Sequence, residues 1–236
     1  MPRRRRCADN IGTMNVLIFG ATGMVGQGVL RECLLDPNVQ LVQTIGRTAT
    51  GLHNPKLREI VHPDLWHYAP VEDKLSGFDA CFFCLGIGSA GMAEKDYEQV
   101  TYGITIAAAE TLFRLNPKMT YIYVSGAATD SSEKGRMMWA RVKGKTENAL
   151  LRMPFAAAYM FLPGFIEPAH GEISRTKLYR ILFTFAKPLL PLLRRLFPNQ
   201  ILTTEQIARA MLNLATHPYP KHILEIKDIR AVAELS

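Results

Sequence analysis

Seven residues near the start of the chain, Gly20-Ala21-Thr22-Gly23-Met24-Val25-Gly26, most strongly limit what it can fold into. They follow the apolar run Val16 to Phe19. A pattern with helical spacing continues from Met24 to Leu35, where Asp36-Pro37-Asn38 ends it. A strand that passes through a glycine turn directly into a helix is typical of the first unit of a parallel α/β sheet.

Strands and helices alternate along the rest of the chain. Apolar runs predict strands at Val39 to Ile45, Glu59 to His62, Ala80 to Leu85, Thr120 to Val124 and Ala156 to Leu162, and helical spacing predicts helices at Tyr97 to Leu115 and Glu133 to Arg152. Strands that are apolar throughout suit a parallel sheet covered on both faces. We therefore predict an α/β fold with a doubly wound parallel sheet (a Rossmann fold), with ligand beyond the carboxyl ends of its strands.

The length of 236 residues fits one such domain, which we place over residues 14–236. Residues 1–13 carry four arginines, Arg3 to Arg6, against Asp9, and so hold a net +3 of the formal charge of +7. We expect a disordered basic tail there, with Met14 as a natural start. An arm that attracts nucleic acid or anionic lipid is the alternative, and we expect no nucleic-acid partner.

The four cysteines are too few and too unevenly spaced for the disulfide framework of a secreted domain, which predicts a reducing, cytoplasmic compartment. Cys81 and Cys84 have the spacing of a redox motif. They lie in a predicted strand, however, where residues three apart point to opposite faces. The sequence therefore predicts neither a disulfide nor a metal site.

The glycine loop has the context that dinucleotide binding requires. Gly20 permits the tight turn, Gly23 lets the backbone approach a pyrophosphate, and Gly26 allows close packing of helix on strand. Thr22, Met24 and Val25 complete the predicted binding loop, where the amides and the positive dipole of the helix N-terminus meet the pyrophosphate charge. The alternative is a plain glycine turn.

The end of the second strand indicates which dinucleotide is bound. An NAD site usually has an acidic residue there, which accepts a hydrogen bond from the ribose 2′-hydroxyl. This chain has Ile45-Gly46-Arg47, and no acidic residue occurs between Asp36 and Glu59. Because a guanidinium binds phosphate bidentately, we predict NADP(H) in preference to NAD(H). The alternative is that Arg47 is a solvated loop residue.

Four later segments extend the pattern. They are Cys84-Leu85-Gly86 after the fourth strand, Val124-Ser125-Gly126 after the fifth, Trp139-Ala140-Arg141-Val142-Lys143-Gly144 on the following helix, and Leu162-Pro163-Gly164 after the sixth strand. Together with the glycine loop, they give residues 15–168 an order and spacing that resemble the short-chain dehydrogenase/reductase superfamily. The resemblance is to its atypical branch of TIP30-like oxidoreductases and epimerase/dehydratase-like NAD(P)-binding proteins.

The resemblance implies roles for individual residues. Ser125 takes the position of the catalytic serine, and Lys143 that of the lysine that binds the nicotinamide ribose. Pro163 and Gly164 form the turn that flanks the nicotinamide. The remaining implied cofactor residues are Asp64 and Leu65, near the adenine, and Cys84, Leu85 and Gly86 after the fourth strand.

The chain departs from the family at Trp139, where the Tyr-x-x-x-Lys motif has its catalytic tyrosine. An indole is a hydrogen-bond donor only and does not titrate usefully, so it cannot take over the acid/base role. The candidate replacements are Tyr97, Tyr102, Glu167 and His170, for each of which a core-edge or solvated role is the simpler interpretation.

Two functions therefore stay open. One is an NADP(H)-dependent oxidoreductase acting on a small carbonyl, alcohol or sugar-like substrate. The other is a catalytically impaired dinucleotide-binding protein that acts as a regulatory or protein-interaction module. We expect a monomer or homodimer with a substrate-side lid over about 165–200. The segment Leu178 to Phe197, within this lid, is apolar with interspersed basic residues. Contact with a membrane surface is a weaker alternative role for it.

Overall fold

The computed structural model describes residues 13–173 and 200–235. Its elements, in chain order, are β1 (Met14–Phe19), α1 (Met24–Leu35), β2 (Val39–Gly46), β3 (Leu57–Val61), a 3-10 helix (Ala69–Lys74), β4 (Ala80–Phe83), α2 (Glu94–Glu98), a π-helical turn (Gln99–Gly103), α3 (Ile104–Leu115), β5 (Thr120–Val124), α4 (Met138–Arg152), β6 (Ala157–Leu162), β7 (Phe165–Glu167), β8 (Ile201–Thr203), α5 (Thr204–Thr216), β9 (Ile223–Glu225) and α6 (Ile226–Ala233).

The main sheet has seven strands in the order β3-β2-β1-β4-β5-β6-β9. Every neighbouring pair is parallel. The strand order runs outward in both directions from β1 and β4, so these two strands form the switch point at which such folds bind ligands. A second, two-stranded sheet pairs β7 with β8. The predicted single-domain, doubly wound parallel sheet is confirmed.

The hydrophobic core has two layers, one on each face of the sheet. Successive residues of β1 supply both layers, because side chains alternate along a strand. Val16 and Ile18 pack into the layer that holds residues of α1, α5 and α6. Leu17 and Phe19 pack into the layer that holds residues of α3 and the 3-10 helix. Burial of both faces explains why the strands are apolar throughout.

The elements differ from the predictions mainly at loops. The helix predicted from Glu133 begins at Met138, because Asp130 accepts hydrogen bonds from Ser132 and Gly135 and holds residues 130–135 in turns. Strand β4 ends at Phe83, before Cys84 and Leu85.

The region of the predicted lid contains β7, but residues 174–199 lie outside the described residues, as do residues 1–12 of the predicted tail. In the part of the chain that the structure describes, no helix is long and apolar enough to cross a bilayer.

Candidate cofactor and active site

The glycine loop between β1 and α1 has no room for side chains. Gly20 has a φ of +76°, and a Cβ on it would lie 2.7 Å from the Cys84 carbonyl carbon and the Leu85 nitrogen. A Cβ on Gly26 would collide with the carbonyl oxygen of Gly20. These contacts let the chain turn back closely beneath α1, and they bring the loop after β4 against the glycine loop.

The N-terminus of α1 is open to an anion. Gly23 is the N-cap residue, and the first turn has neither a side-chain cap nor an acidic residue. The Gly23 amide donates to the Gly20 carbonyl oxygen at 2.9 Å. The amides of Met24 and Val25 belong to the first turn, where a helix offers no internal acceptors. Their free N–H groups and the helix dipole both favour a phosphate at this position.

A small groove connects the glycine loop to the end of β2. Its lining residues are Gly20, Ala21, Thr22, Thr44, Ile45, Gly46, Arg47, Thr48, Thr50, Leu65 and Leu85. This lining contains hydroxyls and a guanidinium but no carboxylate. The carboxylate of Glu59, on β3, accepts hydrogen bonds from the Thr50 amide at 2.7 Å and the Thr44 hydroxyl at 3.3 Å. It therefore holds the loop after β2 in place.

Arg47 is exposed at this groove and forms no ion pair with any residue that the structure describes. It also lines a neighbouring cavity of about 270 Å³. The other residues of this cavity are mostly apolar, namely Pro63, Leu65, Trp66, Leu85, Gly86, Ile87, Val100, Thr101, Ile104 and Thr105. The shape and lining suit a flat aromatic group.

One polar atom in the wall of the 270 Å³ cavity lacks a good partner. Thr101 is buried, and its hydroxyl approaches the Tyr97 phenol without forming a well-directed hydrogen bond. A buried hydroxyl of this kind normally has a partner. Thr101 therefore adds a buried hydroxyl without a well-directed partner to the wall of the cavity.

The two residues implied near the adenine are separated. Leu65 is buried and lines the apolar cavity. Asp64 lines a different, open depression, where it accepts a hydrogen bond from the Trp66 amide at 3.0 Å and contacts His67 Nδ1 at 2.9 Å. The hydrogen bond to His67 is the largest of several contacts that lower the pKa of Asp64. Asp64 therefore orders its own loop and does not face the cavity.

Ser125 lies just beyond the carboxyl end of β5 and is buried. Its hydroxyl donates to Oε1 of Glu147, on α4, and the Thr129 hydroxyl donates to Oε2 of the same carboxylate at 3.2 Å. The backbone of Asp130 and Ser131 packs so closely against Gly144 that a Cβ there would overlap it. This contact docks the loop after Ser125 onto α4.

Lys143 lies one turn before Glu147 on α4. Its Nζ is 5.5 Å from the centroid of the Tyr123 ring, on β5. Burial of the ammonium lowers the pKa of Lys143 from 10.5 to about 8, although the charge of Glu147 acts in the opposite direction. Burial likewise raises the pKa of Tyr123. The lysine is therefore partly buried, with its charge close enough to Glu147 to affect its pKa.

Trp139 is half-buried in the first turn of α4, on the same helix face as Lys143. Tyr97 is buried and close enough to Tyr123 to raise its pKa. By contrast, the Tyr102 ring lies 4.8 Å from the Lys145 ammonium. His170 bonds to Glu205 at 3.0 Å, and Glu167 is buried on β7.

The turn after β6 is tied to the serine loop, because the Ala127 amide donates to the Pro163 carbonyl oxygen at 2.8 Å. Gly164 packs closely on Ile226, 2.9 Å from where its Cβ would lie. Cys81 is buried in β4, Cys84 is half-buried beyond it, and both thiols are free.

Glu147 is the residue that the sequence analysis missed. Its spacing, four residues after Lys143, places it on the lysine's side of α4. That spacing was the available signal. A glutamate on a helix is usually exposed, however, so the pattern alone does not indicate its burial next to Ser125.

No family model matches the chain. Among curated proteins, it is 30% identical over 152 residues to the "Protein FMP52-2, mitochondrial" of Scheffersomyces stipitis, a match that covers 63% of this chain and 65% of the relative. The chain thus spans slightly less than two thirds of that relative. It is 22% identical to FMP52-1 of the same yeast over 94% of this chain and 98% of the relative. These relatives are named as mitochondrial, so the expected cytoplasmic location is wrong.

Solved structures share the fold. The Bordetella bronchiseptica enzyme WbmF in complex with NAD+ has a TM-score of 0.68 and 15% identity, covering 94% of this chain and 77% of that one. An oxidoreductase of the short-chain dehydrogenase/reductase family from Burkholderia thailandensis has a TM-score of 0.64 and 16% identity, with 91% of each chain covered. The UDP-N-acetylglucosamine 4-epimerase of Methanobrevibacter ruminantium has a TM-score of 0.66 and 15% identity, covering 91% of this chain and 76% of that one. The chain has the Rossmann fold that these structures share, as the sequence analysis predicted.

Proposed function

We propose that the protein is an NADP(H)-dependent oxidoreductase of the atypical short-chain type, acting on a small carbonyl, alcohol or sugar-like substrate. The observation that carries this proposal is the cradle at the β1–α1 turn, where Gly20 and Gly26 leave no room for a Cβ and the N-terminus of α1 is uncapped. Such a turn, at the switch point of a parallel sheet, is suited to a pyrophosphate.

The remaining residues fit the other parts of a dinucleotide. The Arg47 guanidinium would hold a 2′-phosphate, and the 270 Å³ cavity, with Leu65 and Leu85 in its wall, would hold the base. Lys143 would hold the nicotinamide ribose, and Ser125 would donate a hydrogen bond to the substrate oxygen. A reduced nicotinamide, when bound, supplies a hydride to the substrate carbon.

Cofactor preference provides the direct test. We expect calorimetric titration to show tighter binding of NADPH than of NADH, because no carboxylate lines the groove at Arg47. Arg47→Asp should reverse this order, since it replaces a phosphate partner with a ribose hydroxyl partner. Arg58→Asp is the charge-matched control, because Arg58 is exposed on β3 and lines neither the groove nor the cavity. Tighter binding of NADH by the unmodified protein would contradict the proposal.

One observation favours the second candidate function. Trp139 stands where the family has its proton-donating tyrosine, and the binding loop is nevertheless intact. A protein that binds the dinucleotide without turnover would act as a cofactor-responsive interaction module. A carbonyl panel that includes aldehydes, ketones and quinones separates the two functions, because only the oxidoreductase consumes NADPH.

The names of the FMP52 relatives also lead us to propose a mitochondrial location, which fractionation can test.

A further inference from the structure

Glu147 is almost wholly enclosed, with 1% of its surface exposed. Both of its carboxylate oxygens accept hydrogen bonds from hydroxyls, Oε1 from Ser125 and Oε2 from Thr129. It forms no ion pair with any residue in the described ranges 13–173 and 200–235. A buried carboxylate without a cation in contact is costly, so its presence against Ser125 requires an explanation.

Burial and the groups around Glu147 shift its pKa in opposite directions. Burial raises the pKa of Glu147, and the bonds from Ser125 and Thr129 and the Lys143 ammonium only partly offset this effect. Tyr123, on β5, faces the same pocket as a neutral phenol, because burial and the nearby Tyr97 and Glu147 all raise its pKa. Earlier on α4, Arg141 and Lys145 are paired with Glu94 and Glu98 of α2.

We propose that Glu147 is the proton source for Ser125, and that this pair replaces the relay that Trp139 cannot supply. The proposal rests on the proposed oxidoreductase function. Three positions support it: Ser125 at the end of β5, Glu147 in hydrogen-bond contact with its hydroxyl, and the indole of Trp139 in place of a phenol. Glu147 acts through Ser125, whose hydroxyl would contact the substrate.

Reduction of a carbonyl moves one proton from Ser125 to the substrate and one from Glu147 to Ser125. As the substrate carbon accepts a hydride that a bound reduced nicotinamide would supply, the C=O double bond becomes single, the Ser125 Oγ–H bond breaks and an O–H bond forms on the substrate oxygen. In the protonated form of Glu147, Oε1–H donates to Ser125 Oγ and the Ser125 hydroxyl is free to donate to the substrate. The Oε1–H bond breaks as its proton passes to Ser125 Oγ, so glutamic acid becomes glutamate and Ser125 stays neutral. Solvent returns the proton to Glu147 after the alcohol leaves. Oxidation of an alcohol runs through the same bonds in reverse, with glutamate as the base.

A purely structural role for Glu147 is the competing explanation, since its two hydrogen bonds also anchor the serine loop to α4. Titration of the cofactor-free protein separates the two roles. We expect a side-chain ¹³C carboxyl resonance, assigned by its loss in Glu147→Gln, to titrate above the ordinary glutamate range. Ser125→Ala should raise its midpoint further, because a hydrogen bond to the carboxylate is lost. A resonance that titrates at or below the ordinary range would overturn the proposal, since Glu147 would then be a fixed anion.

Turnover of NADPH on the carbonyl panel gives the second test. Glu147→Gln keeps the size and one acceptor oxygen, so a structural role should survive it. A lost proton source should lower the rate constant by about 10²- to 10⁴-fold. The fall in rate with rising pH that marks the ionisation of Glu147 should also disappear in this variant. Glu98→Gln is the matched control, because it removes the pair with Lys145 at 2.5 Å on the outer side of α4.

The outcomes separate the two claims. Reduction that proceeds equally well in Glu147→Gln overturns the role of Glu147 and leaves the oxidoreductase function standing. Absence of reduction by the unmodified protein across the panel overturns the oxidoreductase function and, with it, the reaction assigned to Glu147. Cofactor affinity, measured by calorimetry, should be unchanged in Glu147→Gln, which confirms that the variant is folded.

Discussion

The Lys143 side chain is partly buried between α4 and β5 next to an aromatic ring, and it forms no ion pair with the described residues. Burial favours the uncharged amine, which is why the pKa of Lys143 falls from 10.5 to about 8. The surrounding groups offset little of the free-energy cost of burying the charge of Lys143. The lysine is well placed to contact hydroxyls of a bound ribose, which would supply hydrogen-bond acceptors to the ammonium.

The first prediction concerns stability and pH at Lys143. The folded pKa is about 8 and the ordinary value is 10.5, so between these pH values the unfolded chain binds more protons. Stability should therefore rise with pH across this window. Lys143→Met should be more stable than the unmodified protein at pH 7, by about 1 to 3 kcal/mol, and this advantage should shrink as the pH approaches 10.5. Urea unfolding of both proteins across the window measures it. A constant difference would contradict the prediction.

Single residues of the site differ in how far the sequence could predict them. The glycine loop can be predicted from the sequence, because its turn leaves no room for a Cβ at Gly20 or Gly26. Glu147 is not readable, because its role depends on a contact with Ser125, 22 residues away. Asp64 follows the implied motif, yet it turns to His67 because that partner is only three residues further on.

Among whole elements, strongly periodic segments were predicted well. The bounds of α1 and β5 agree with the sequence prediction. Pro37 follows the end of α1, Pro117 precedes the start of β5, and apolar residues fill the interior of both elements. Strands β7, β8 and β9 have three residues each, too few to show alternation. The start of α4 was placed too early, because helix-compatible residues before Met138 are held in a turn by the Asp130 carboxylate. Local pattern cannot show such tertiary and turn contacts.

The second prediction concerns helix α4 and its first turn. Trp139→Tyr would place a titratable hydroxyl four residues before Lys143, on one helix face. If the protein is an oxidoreductase, we expect the rate constant on the carbonyl panel to rise, but by less than the about 10²- to 10⁴-fold that a positioned acid contributes where there is none, because Glu147 already supplies a proton. Met137→Tyr is the control, since Met137 is the exposed N-cap residue of the same helix.

The contrary outcomes for Trp139→Tyr are also informative. A binding protein without turnover should show no gain in rate, and only a loss of stability from the space that the smaller ring leaves. Fast turnover by the unmodified protein, unaffected by the new phenol, would show that the indole does not limit proton transfer.

In the molecule as a whole, the candidate site draws on both halves of the doubly wound sheet. The glycine loop, Arg47 and the 270 Å³ cavity belong to the half formed by β1 to β4 and the helical stretch after it. Ser125, Lys143 and Glu147 belong to β5 and α4. The loops after β1, β4 and β5 leave the same edge of the sheet, because these three strands are adjacent and parallel. A dinucleotide bound across this edge would contact both halves and therefore oppose global unfolding.

The last prediction follows from that shared edge. A ligand that binds only the folded state stabilises it by about 2.7 kcal/mol at 100 times its dissociation constant. For a domain of this size, that corresponds to a rise in Tm of roughly 5 to 10 °C. We expect NADPH to produce such a rise, and NADH at the same concentration a smaller one, because only NADPH carries the phosphate that Arg47 would hold. Arg47→Asp should reverse the order, and Arg58→Asp should leave it unchanged. Differential scanning fluorimetry of the three proteins with both cofactors measures all six shifts. Equal shifts by NADPH and NADH in the unmodified protein would show that the Arg47 guanidinium does not contact the ligand, and a lack of shift by either would remove dinucleotide binding itself.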